Sequence, residues 1–451
     1  MHGSLIPDER RVFGWIEEIF ARGVRRPAWP ADRWAEAWLQ EQFRGCGMER
    51  VRAEPVELYS WEPRAASLTL TLAGGETVQF EGFALPHCAP GEIEAPLRVF
   101  DGAAPDVRGA IALYDAPRLA VPHAWYAQAA TWTYDPHATC AASTHVLPFG
   151  RDMQDVMEPV IEAGASGFVG VLSGYPGDSR DYYVPYDAHA RPIPGIWIRG
   201  SDGSRLRALL DGGAAQARLL VDAVREPTTS YNIIGELPGA DDETVIIGSH
   251  HDGPWASAVE DASGMALVLA QAAYWSRVPR EARPHRLVFL LNAGHMAGGA
   301  GQATFVATHR AELDGCVLEV HLEHAANEFA ERDGALRPTG QPEARWWFTS
   351  RIDRLESAVR SAIEAEGLER SFMLRPDIFG EKPTTDGADF HLAGVPLVHY
   401  LTAPFYLFDA MDTLDKIHRP SLIPVTRATI CIIESTSGVS AAAMRADRIA
   451  T

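Results

Sequence analysis

Histidines and carboxylates follow several short apolar segments in the second half of the chain. The segment 244–248 ends in GSHHDG, the segment 316–322 ends in HLEH, and AVEDASG lies between them. Imidazole nitrogens and carboxylate oxygens are the ligands that zinc and similar divalent ions take in proteins. One such residue alone is usually solvated or caps a helix, but several in succession predict a metal site or an active site. The candidates are His250, His251, Asp252, Glu260, Asp261, Glu323 and His324.

The segments that carry these residues alternate with predicted helices from residue 229 onward. Apolar runs such as ETVIIGSHHD and HRLVFLLNAG alternate with helical stretches such as SGMALVLAQAAYWS. This order predicts an α/β fold, a three-layer sandwich around a mostly parallel mixed sheet. Ligands of such sheets gather at the carboxyl ends of the strands, which is where the candidate residues lie.

The first half of the chain predicts two further parts. Residues 1–94 begin with two helical stretches and continue into an alternating hairpin, which we assign to the N-terminal part of the sandwich domain. From residue 95 onward, GAIALYDAP, PVIEAGASGFVGVL and IPGIWIRGSDGSRLRALL predict short strands with helices between them. We therefore expect an inserted β-rich domain over residues 95–225 and the main domain over residues 226–451.

The bulk composition restricts the partners and the compartment. A formal net charge of −20 argues against nucleic acid and anionic membranes. No apolar run approaches the ~18 residues of a membrane span, and the charged N-terminus lacks the apolar core of a signal peptide. Five scattered cysteines without a CxxC pair predict neither a disulfide framework nor a thiolate zinc site. We expect a cytoplasmic protein.

The order of the motifs resembles that of the zinc aminopeptidase family that includes bacterial leucyl aminopeptidases and glutamate carboxypeptidase. GSHHD, AVEDASG, NAGHMAGGAG, HLEH, TTDGADF and TAPFYLFDAMDTLDKIH follow one another as the family's site motifs do. Residues 95–225 are similar to the protease-associated domain that many members carry. The resemblance implies a metal-dependent hydrolase of an amide or peptide bond, with a small molecule or short peptide as substrate.

The resemblance assigns one complete set of metal ligands. His250 corresponds to the first ligand, and Asp252 to the carboxylate that orients it and takes part in catalysis. Glu260 stands in place of the aspartate that bridges two zinc ions, and Glu323 in place of the next aspartate ligand. The alternative ligands are His251, Asp261 and His324.

The second set of family ligands is missing. Met296 stands where the family has a metal-binding glutamate, and Phe408 where it has the last histidine ligand. His295 occupies the position of the general-base glutamate, and Gly387 that of a histidine. We therefore predict one divalent metal ion, with zinc as the first expectation, and His295 as general acid and base, since a free imidazole exchanges protons near neutral pH.

Four residues are predicted to line the substrate pocket, although packing is the alternative for the first two and metal binding for the third. They are Met296, Phe408, His399 and Tyr406. The aromatic-rich stretches 123–137 and 174–187 of the insert either shape an apolar pocket, pack within the insert, or form a contact in a homo-oligomer. In the last loop, Asp412, Thr413, Asp415 and Lys416 are interpreted as structural.

Three functions remain open from the sequence. The first is a single-metal hydrolase of a small amide or peptide bond. The second is a non-hydrolytic enzyme, such as a lyase, an isomerase or an acyl transferase, in the same pocket. The third is a catalytically inactive binding homologue that holds no metal, in which His295 is a hydrogen-bonded loop residue.

Overall fold

The computed structural model describes residues 3–102, 107–140, 143–150, 155–213, 216–333, 335–383 and 385–449. The helices are α1 (Glu9–Phe20), α2 (Pro30–Gly45), α3 (His123–Ala129), α4 (Glu158–Glu162), α5 (Gly200–Asp211), α6 (Gly264–Trp275), α7 (Ala300–Thr308), α8 (Asp353–Ala365), α9 (Ala388–Leu392), α10 (Leu422–Glu434) and α11 (Ala441–Ala446). The strands of the first half are β1 (Glu49–Thr71), β2 (Thr77–Glu81), β3 (Phe83–Ala84), β4 (Gly91–Ala95), β5 (Leu97–Phe100), β6 (Ile111–Asp115), β7 (Ala120–Pro122), β8 (Trp132–Tyr134), β9 (Thr144–Val146), β10 (Gly167–Leu172) and β11 (Gly195–Arg199). Those of the second half are β12 (Gln216–Leu237), β13 (Thr244–His250), β14 (Arg286–Asn292), β15 (Cys316–Leu322), β16 (Asn327–Arg332), β17 (Ala335–Pro342), β18 (Arg345–Thr349), β19 (Ser371–Leu374) and β20 (Leu397–Leu401).

The main sheet confirms the predicted α/β class. Its strands follow the order β2-β1-β12-β14-β13-β15-β20-β18-β19-β8, and β4 also pairs with β12. The four central strands β14, β13, β15 and β20 are parallel, while β12 and β18 join this centre in antiparallel orientation. The sheet is therefore mixed, and the carboxyl ends of its parallel centre meet at one edge.

Two cores cover the two faces of this sheet. Along β14, Leu287, Phe289 and Leu291 enter the core that also contains α1, α6 and α10. Val288 and Leu290 point the other way and enter a core shared with α7 and α9. Successive residues of a strand face opposite sides, so a strand buried on both faces reads as a continuous apolar run. This arrangement gives the three layers predicted from the sequence.

A second sheet, of five strands in the order β3-β11-β10-β6-β5, lies within the first half of the chain. It begins at Phe83, before residue 95, and β12 crosses residue 225 without interruption. β8 lies between residues 95 and 225 but pairs with β19 at the edge of the main sheet. β1 and β12 belong to the main sheet, and β3 of the second sheet follows β2 of the main sheet directly in the chain. The three-part division stays a prediction.

The helices of the described ranges include apolar ones, such as α6. None of these helices combines the length and the hydropathy that crossing a bilayer requires.

Candidate active site

The end of β13 places one histidine in the site and turns the next one away. His250 donates from Nδ1 to the backbone oxygen of Asp252 at 2.9 Å, so its Nε2 projects over the edge of the sheet. His251 uses Nδ1 on the Asp32 carboxylate at 2.7 Å and approaches the Tyr231 carbonyl with Nε2 at 2.9 Å. Burial would lower the pKa of His251, but Asp32 outweighs it and raises that pKa to about 9. The prediction of His251 as an alternative ligand is wrong, because neighbouring residues leave a strand in opposite directions.

Glu260 lies between two imidazoles. Its Oε1 is 3.4 Å from His250 Nε2, and its Oε2 is 2.6 Å from His324 Nε2. Burial would raise the pKa of Glu260, but His324 and His250 outweigh it and hold that pKa well below the usual range. Glu260 is fully buried.

Backbone conformation brings His324 to the same place as its neighbour Glu323. The φ of His324 is 38°, in the left-handed region that side-chain-bearing residues seldom occupy, and this turns the side chain back toward the sheet. His324 then donates from Nδ1 to the carbonyl of Thr402 at 2.6 Å, and its Nε2 lies 3.6 Å from Glu323 Oε2. The alternative ligand His324 therefore joins the predicted set of His250, Glu260 and Glu323.

Two other carboxylates in this region hold backbone. Asp412 accepts the amides of Val259 and Glu260 at 2.9–3.0 Å, which fixes the turn Ala258–Ser263, where the Glu260–Asp261 peptide bond is cis. Burial raises the pKa of Asp412 to about 7. Asp261 accepts the Ser249 hydroxyl and, at 3.0 Å, the amide of Gly264 at the start of α6. Its Oδ2 also lies 4.0 Å from His250 Nε2, so Asp261 as an alternative ligand stays a prediction.

Asp252 positions the turn that contains His295. Its carboxylate accepts the amide of His295 at 3.0 Å and that of Met296 at 2.7 Å. The same carboxylate is 3.8 Å from His250 Nδ1, which is hydrogen-bonded to the Asp252 carbonyl instead. The predicted orientation of His250 is therefore provided by the backbone of Asp252, and the carboxylate acts on the next loop.

His295 pairs with a carboxylate from a distant loop. Its Nδ1 is 2.8 Å from Asp386 Oδ1, and its Nε2 is 3.4 Å from Glu260 Oε1. The ring stacks on His250 at a centroid distance of 4.2 Å, and its other neighbour is the ring of Tyr186 at 5.2 Å. Burial would raise the pKa of Asp386, but His295 outweighs it and holds that pKa well below the usual range. A carboxylate on Nδ1 fixes the tautomer in which Nε2 can accept a proton.

The four predicted pocket residues lie in different surroundings. His399 has its Nε2 3.2 Å from Glu323 Oε1, among the other donor atoms of the site. The ring of Phe408 lies 4.8 Å from Tyr186, so these two form an apolar wall beside His295. Met296 is fully buried in the large core, where it packs with apolar residues. Tyr406 donates its hydroxyl to the carbonyl of Asn327 at 2.6 Å and packs against Phe329, so its prediction as a pocket residue is wrong.

Tyr186 comes from the aromatic-rich stretch 174–187 of the first half of the chain. Its carbonyl accepts the amide of Gly298 at 2.8 Å, and the carbonyl of Phe408 accepts the amide of Tyr183 at 2.9 Å. The stretch is therefore tied to the turn after β14 and to the last loop. The stretch 174–187 therefore reaches the site, which agrees with the first of the three alternatives, that it shapes an apolar pocket.

A match to a known family covers this arrangement. The model of peptidase family M28 matches residues 232–432, from the end of β12 to α10. We call residues 232–432 the M28 domain, after the family whose model they match. Every residue described above as facing the site belongs to this domain except Tyr186, which is supplied from outside it.

The chain is similar to one curated protein over a short segment and to solved structures over nearly its whole length. A probable leucine aminopeptidase 2 from Aspergillus oryzae is 32% identical over 136 residues, which are 28% of this chain and 25% of that protein. The chain thus matches about a quarter of the length of that curated relative. A peptidase M28 precursor from Shewanella amazonensis has a TM-score of 0.73 at 21% identity and covers 95% of this chain and 93% of its own. A zinc aminopeptidase from Bacillus subtilis has a TM-score of 0.67 at 17% identity, with 95% of both chains covered. The fold is shared over nearly the whole chain.

The sequence reasoning missed two residues of the M28 domain that face the site. Asp386 lies in TTDGADF, directly before Gly387, which stands at the position of the absent family histidine. His321 lies two residues before Glu323, and this spacing places both side chains on one face of β15. Its Nε2 is 3.4 Å from Glu323 Oε1 and 3.8 Å from Asp386 Oδ2.

The donor atoms of the M28 domain fit a divalent cation. Several buried atoms converge here, and none makes a hydrogen bond of acceptable geometry within the described part of the chain. They are Nε2 of His250, His321, His324 and His399, both carboxylate oxygens of Glu260, and Oε1 of Glu323. Buried polar atoms normally have partners, because leaving one unpaired costs ~1–3 kcal/mol. Burial raises the pKa of Glu323 well above the usual range, and Asp386 and Asp261 raise it further. Imidazole and carboxylate donors in this number are those of protein zinc sites.

Proposed function

We propose that the chain is a metal-dependent hydrolase that cleaves an amide or peptide bond in a small molecule or short peptide. The observation that carries the proposal is the convergence of His250, Glu260, His324 and Glu323 directly beside the His295–Asp386 pair. One divalent ion, with zinc as the first expectation, would be held by these four side chains. The M28 assignment and the Bacillus zinc aminopeptidase of the same fold support this reading.

Such an ion supplies a Lewis acid that polarises a carbonyl oxygen and acidifies water. His295 is placed to perform the proton transfers. Its Nδ1 donates to Asp386, so Nε2 takes a proton from the attacking water and then returns it to the leaving amine. Asp386 keeps the imidazole in this tautomer and stabilises its protonated form, as carboxylates do in other histidine-based sites.

The surrounding wall favours small substrates. His295 has 13% of its side chain exposed, and Tyr186 and Phe408 stand next to it. An apolar wall beside a polar reaction centre suits the side chain of one apolar or aromatic residue. The substrate is therefore expected to present such a group next to the bond that is cleaved.

The test combines metal analysis with a turnover assay on the full chain. Purified protein should carry divalent metal, and it should release amine from a panel of aminoacyl amides and dipeptides, with ¹⁸O from solvent in the acid product. Glu260→Gln should lose both the metal of this set and the turnover. His189→Gln, whose side chain is 82% exposed, is the matched control and should change neither.

Two outcomes would contradict the proposal. Turnover without solvent ¹⁸O in the product would identify a non-hydrolytic enzyme. Protein that binds no metal and leaves the whole panel intact, with and without added zinc, would identify a binding homologue.

A further inference from the structure

We propose a second cation site between β15 and β20, formed by His321, His399, Glu323 and Asp386. It goes beyond the proposed function, which needs only the ion held by His250, Glu260 and His324 with Glu323. It also lies elsewhere than the lost family ligands, since Met296 is in the core and Phe408 is in the apolar wall. The M28 domain would then hold two cations through a set of residues of its own.

The distances between the donor atoms are those of ligands around one ion. Glu323 Oε1 is 3.4 Å from His321 Nε2 and 3.2 Å from His399 Nε2. His321 Nε2 is 3.8 Å from Asp386 Oδ2. Tetrahedral zinc with bonds of ~2.0–2.1 Å separates its donors by about 3.3–3.4 Å. The donor atoms of His321, Glu323 and His399 all lie within 4.8 Å of one another, as ligands of one ion would, and Asp386 approaches this group from the side of His321.

Strand register explains why these side chains meet. His321 and His399 are direct partners across the parallel strands β15 and β20, and their ring centroids are 4.8 Å apart. Partners in register project to the same face of the sheet, and so does Glu323, two residues after His321. Both histidines are fully buried, and Glu323 is 3% exposed. Apolar side chains are the usual residues at fully buried strand positions such as these.

Contacts behind the ligands favour metal binding. His321 has its Nδ1 3.0 Å from Oε1 of the buried Glu319, so the neutral ring presents an unprotonated Nε2 to the site. A carboxylate in this place is the usual support of a metal-binding histidine. The amide of Gly387 donates a long hydrogen bond of 3.4 Å to His399 Nδ1, which is weak enough for a cation at Nε2 to set the tautomer of that ring.

Glu323 connects the two sites through its two oxygens. Oε1 faces His321 and His399, whereas Oε2 lies 3.6 Å from His324 Nε2 in the first set. Asp386 divides its oxygens in the same way, with Oδ1 on His295 and Oδ2 toward His321. A carboxylate that bridges two cations offsets the charge repulsion between them, so the second ion is expected to bind close to the first.

The experiment measures zinc stoichiometry. The full chain is stripped with a chelator, incubated with excess zinc, passed through gel filtration and analysed for metal per chain. The wild-type protein is expected to hold two ions, His321→Gln and His399→Gln one each, and His189→Gln two. A wild-type value of one, or two ions retained by both variants, overturns the proposal.

A second variant separates loss of the site from loss of the fold. Glu319→Gln leaves all four ligands in place and is expected to weaken binding of one zinc equivalent by about 10–100-fold, the usual effect of removing such a support. Circular dichroism of the metal-free proteins checks their folding. Wild-type affinity in a folded Glu319→Gln protein counts against the site. Because the readout is metal content, its failure leaves the hydrolysis test untouched.

Discussion

His295 is held on two sides by carboxylates from different loops. Asp252 fixes its backbone amide, and Asp386 its Nδ1. The ring is further confined between His250 and Tyr186. A side chain with a single orientation and one free nitrogen suits a proton-transfer group, for which geometry comes before pKa. The same nitrogen lies 3.4 Å from Glu260 Oε1, so metal binding by His295 is the alternative that an experiment has to separate.

Replacing His295 by alanine distinguishes the two roles. If Nε2 transfers protons, His295→Ala is expected to lower kcat by about 100-fold or more, because general acid–base catalysis contributes on that scale. Its metal content should equal that of the wild type, and added imidazole should restore part of the turnover. His137→Ala, with 71% of the histidine side chain exposed, is the control. Loss of one metal equivalent in His295→Ala would make His295 a ligand.

At this scale the sequence identified the residues better than their partners. The resemblance predicts His250, Glu260 and Glu323 as ligands, and both carboxylates lie near His250, while their role as ligands stays a prediction. His324 lies on the same side as Glu323 because its φ is left-handed, and no local sequence pattern predicts that backbone conformation. His321 and Asp386 were missed because their contact with Glu323 depends on strand register and on a distant loop, which a linear motif does not contain.

Among the elements, the turn Ala258–Ser263 depends on a loop from the other end of the domain. Asp412 accepts the amides of Val259 and Glu260, and so fixes the segment that carries the Glu260 side chain. The sequence predicts a structural role for Asp412, and these two hydrogen bonds show which segment it holds. A carboxylate that is buried and accepts amides of a metal-binding segment sets the position of the ligand.

Asp412→Ala should therefore disturb the metal site from a distance. We expect its affinity for zinc to fall by about 10–100-fold, while the unliganded protein keeps its secondary structure. Asp415→Ala in the same loop is the matched control, since the Asp415 side chain is 60% exposed. Zinc titration in competition with a chromophoric chelator measures the difference. Equal affinities in the two variants would show that Asp412 only closes the loop.

Strand and helix order followed from periodicity, but the join between the two sheets did not. The central parallel strands were predictable because each is an apolar run that ends in polar residues. The predicted limits of the insert, residues 95 and 225, are the points where the sequence motifs change. In the structure, β12 passes residue 225 as one continuous strand. Pairing with β1 along its length keeps β12 extended, and this long-range pairing is invisible to a local window.

For the molecule as a whole, buried neutral histidines predict sensitivity to acid. Burial and the Arg225 cation lower the pKa of His87 to about 3, and burial and His145 lower that of His123 to about 4. Below pH ~6.5 the unfolded chain binds protons at these positions that the folded chain does not bind. The contribution of these two groups to the free energy of unfolding is therefore complete above that pH, and it decreases by up to ~1.4 kcal/mol per pH unit and group as pH falls toward 4.

Urea unfolding of the chelated protein between pH 7 and 4 measures this dependence. His123→Gln should give a flatter decline than the wild type, because one of the two groups no longer titrates. His189→Gln, altered at an exposed side chain, should follow the wild-type curve. Parallel curves for His123→Gln and the wild type would show that His123 is not held neutral in the folded state.

The support of Tyr186 has a mechanical consequence. β1 and β12 of the main sheet remain paired from Arg52 and Ile234 to Thr71 and Gln216, and the stretch that carries Tyr186 is hydrogen-bonded to Gly298 and Phe408 of the M28 domain. A ladder of hydrogen bonds between two long strands resists bending far more than a peptide linker does. Tyr186 is therefore held at one position beside His295 and does not move as a lid would. Every ligand would meet the same clearance at the entrance, so molecules would be sorted by width before any bond is broken.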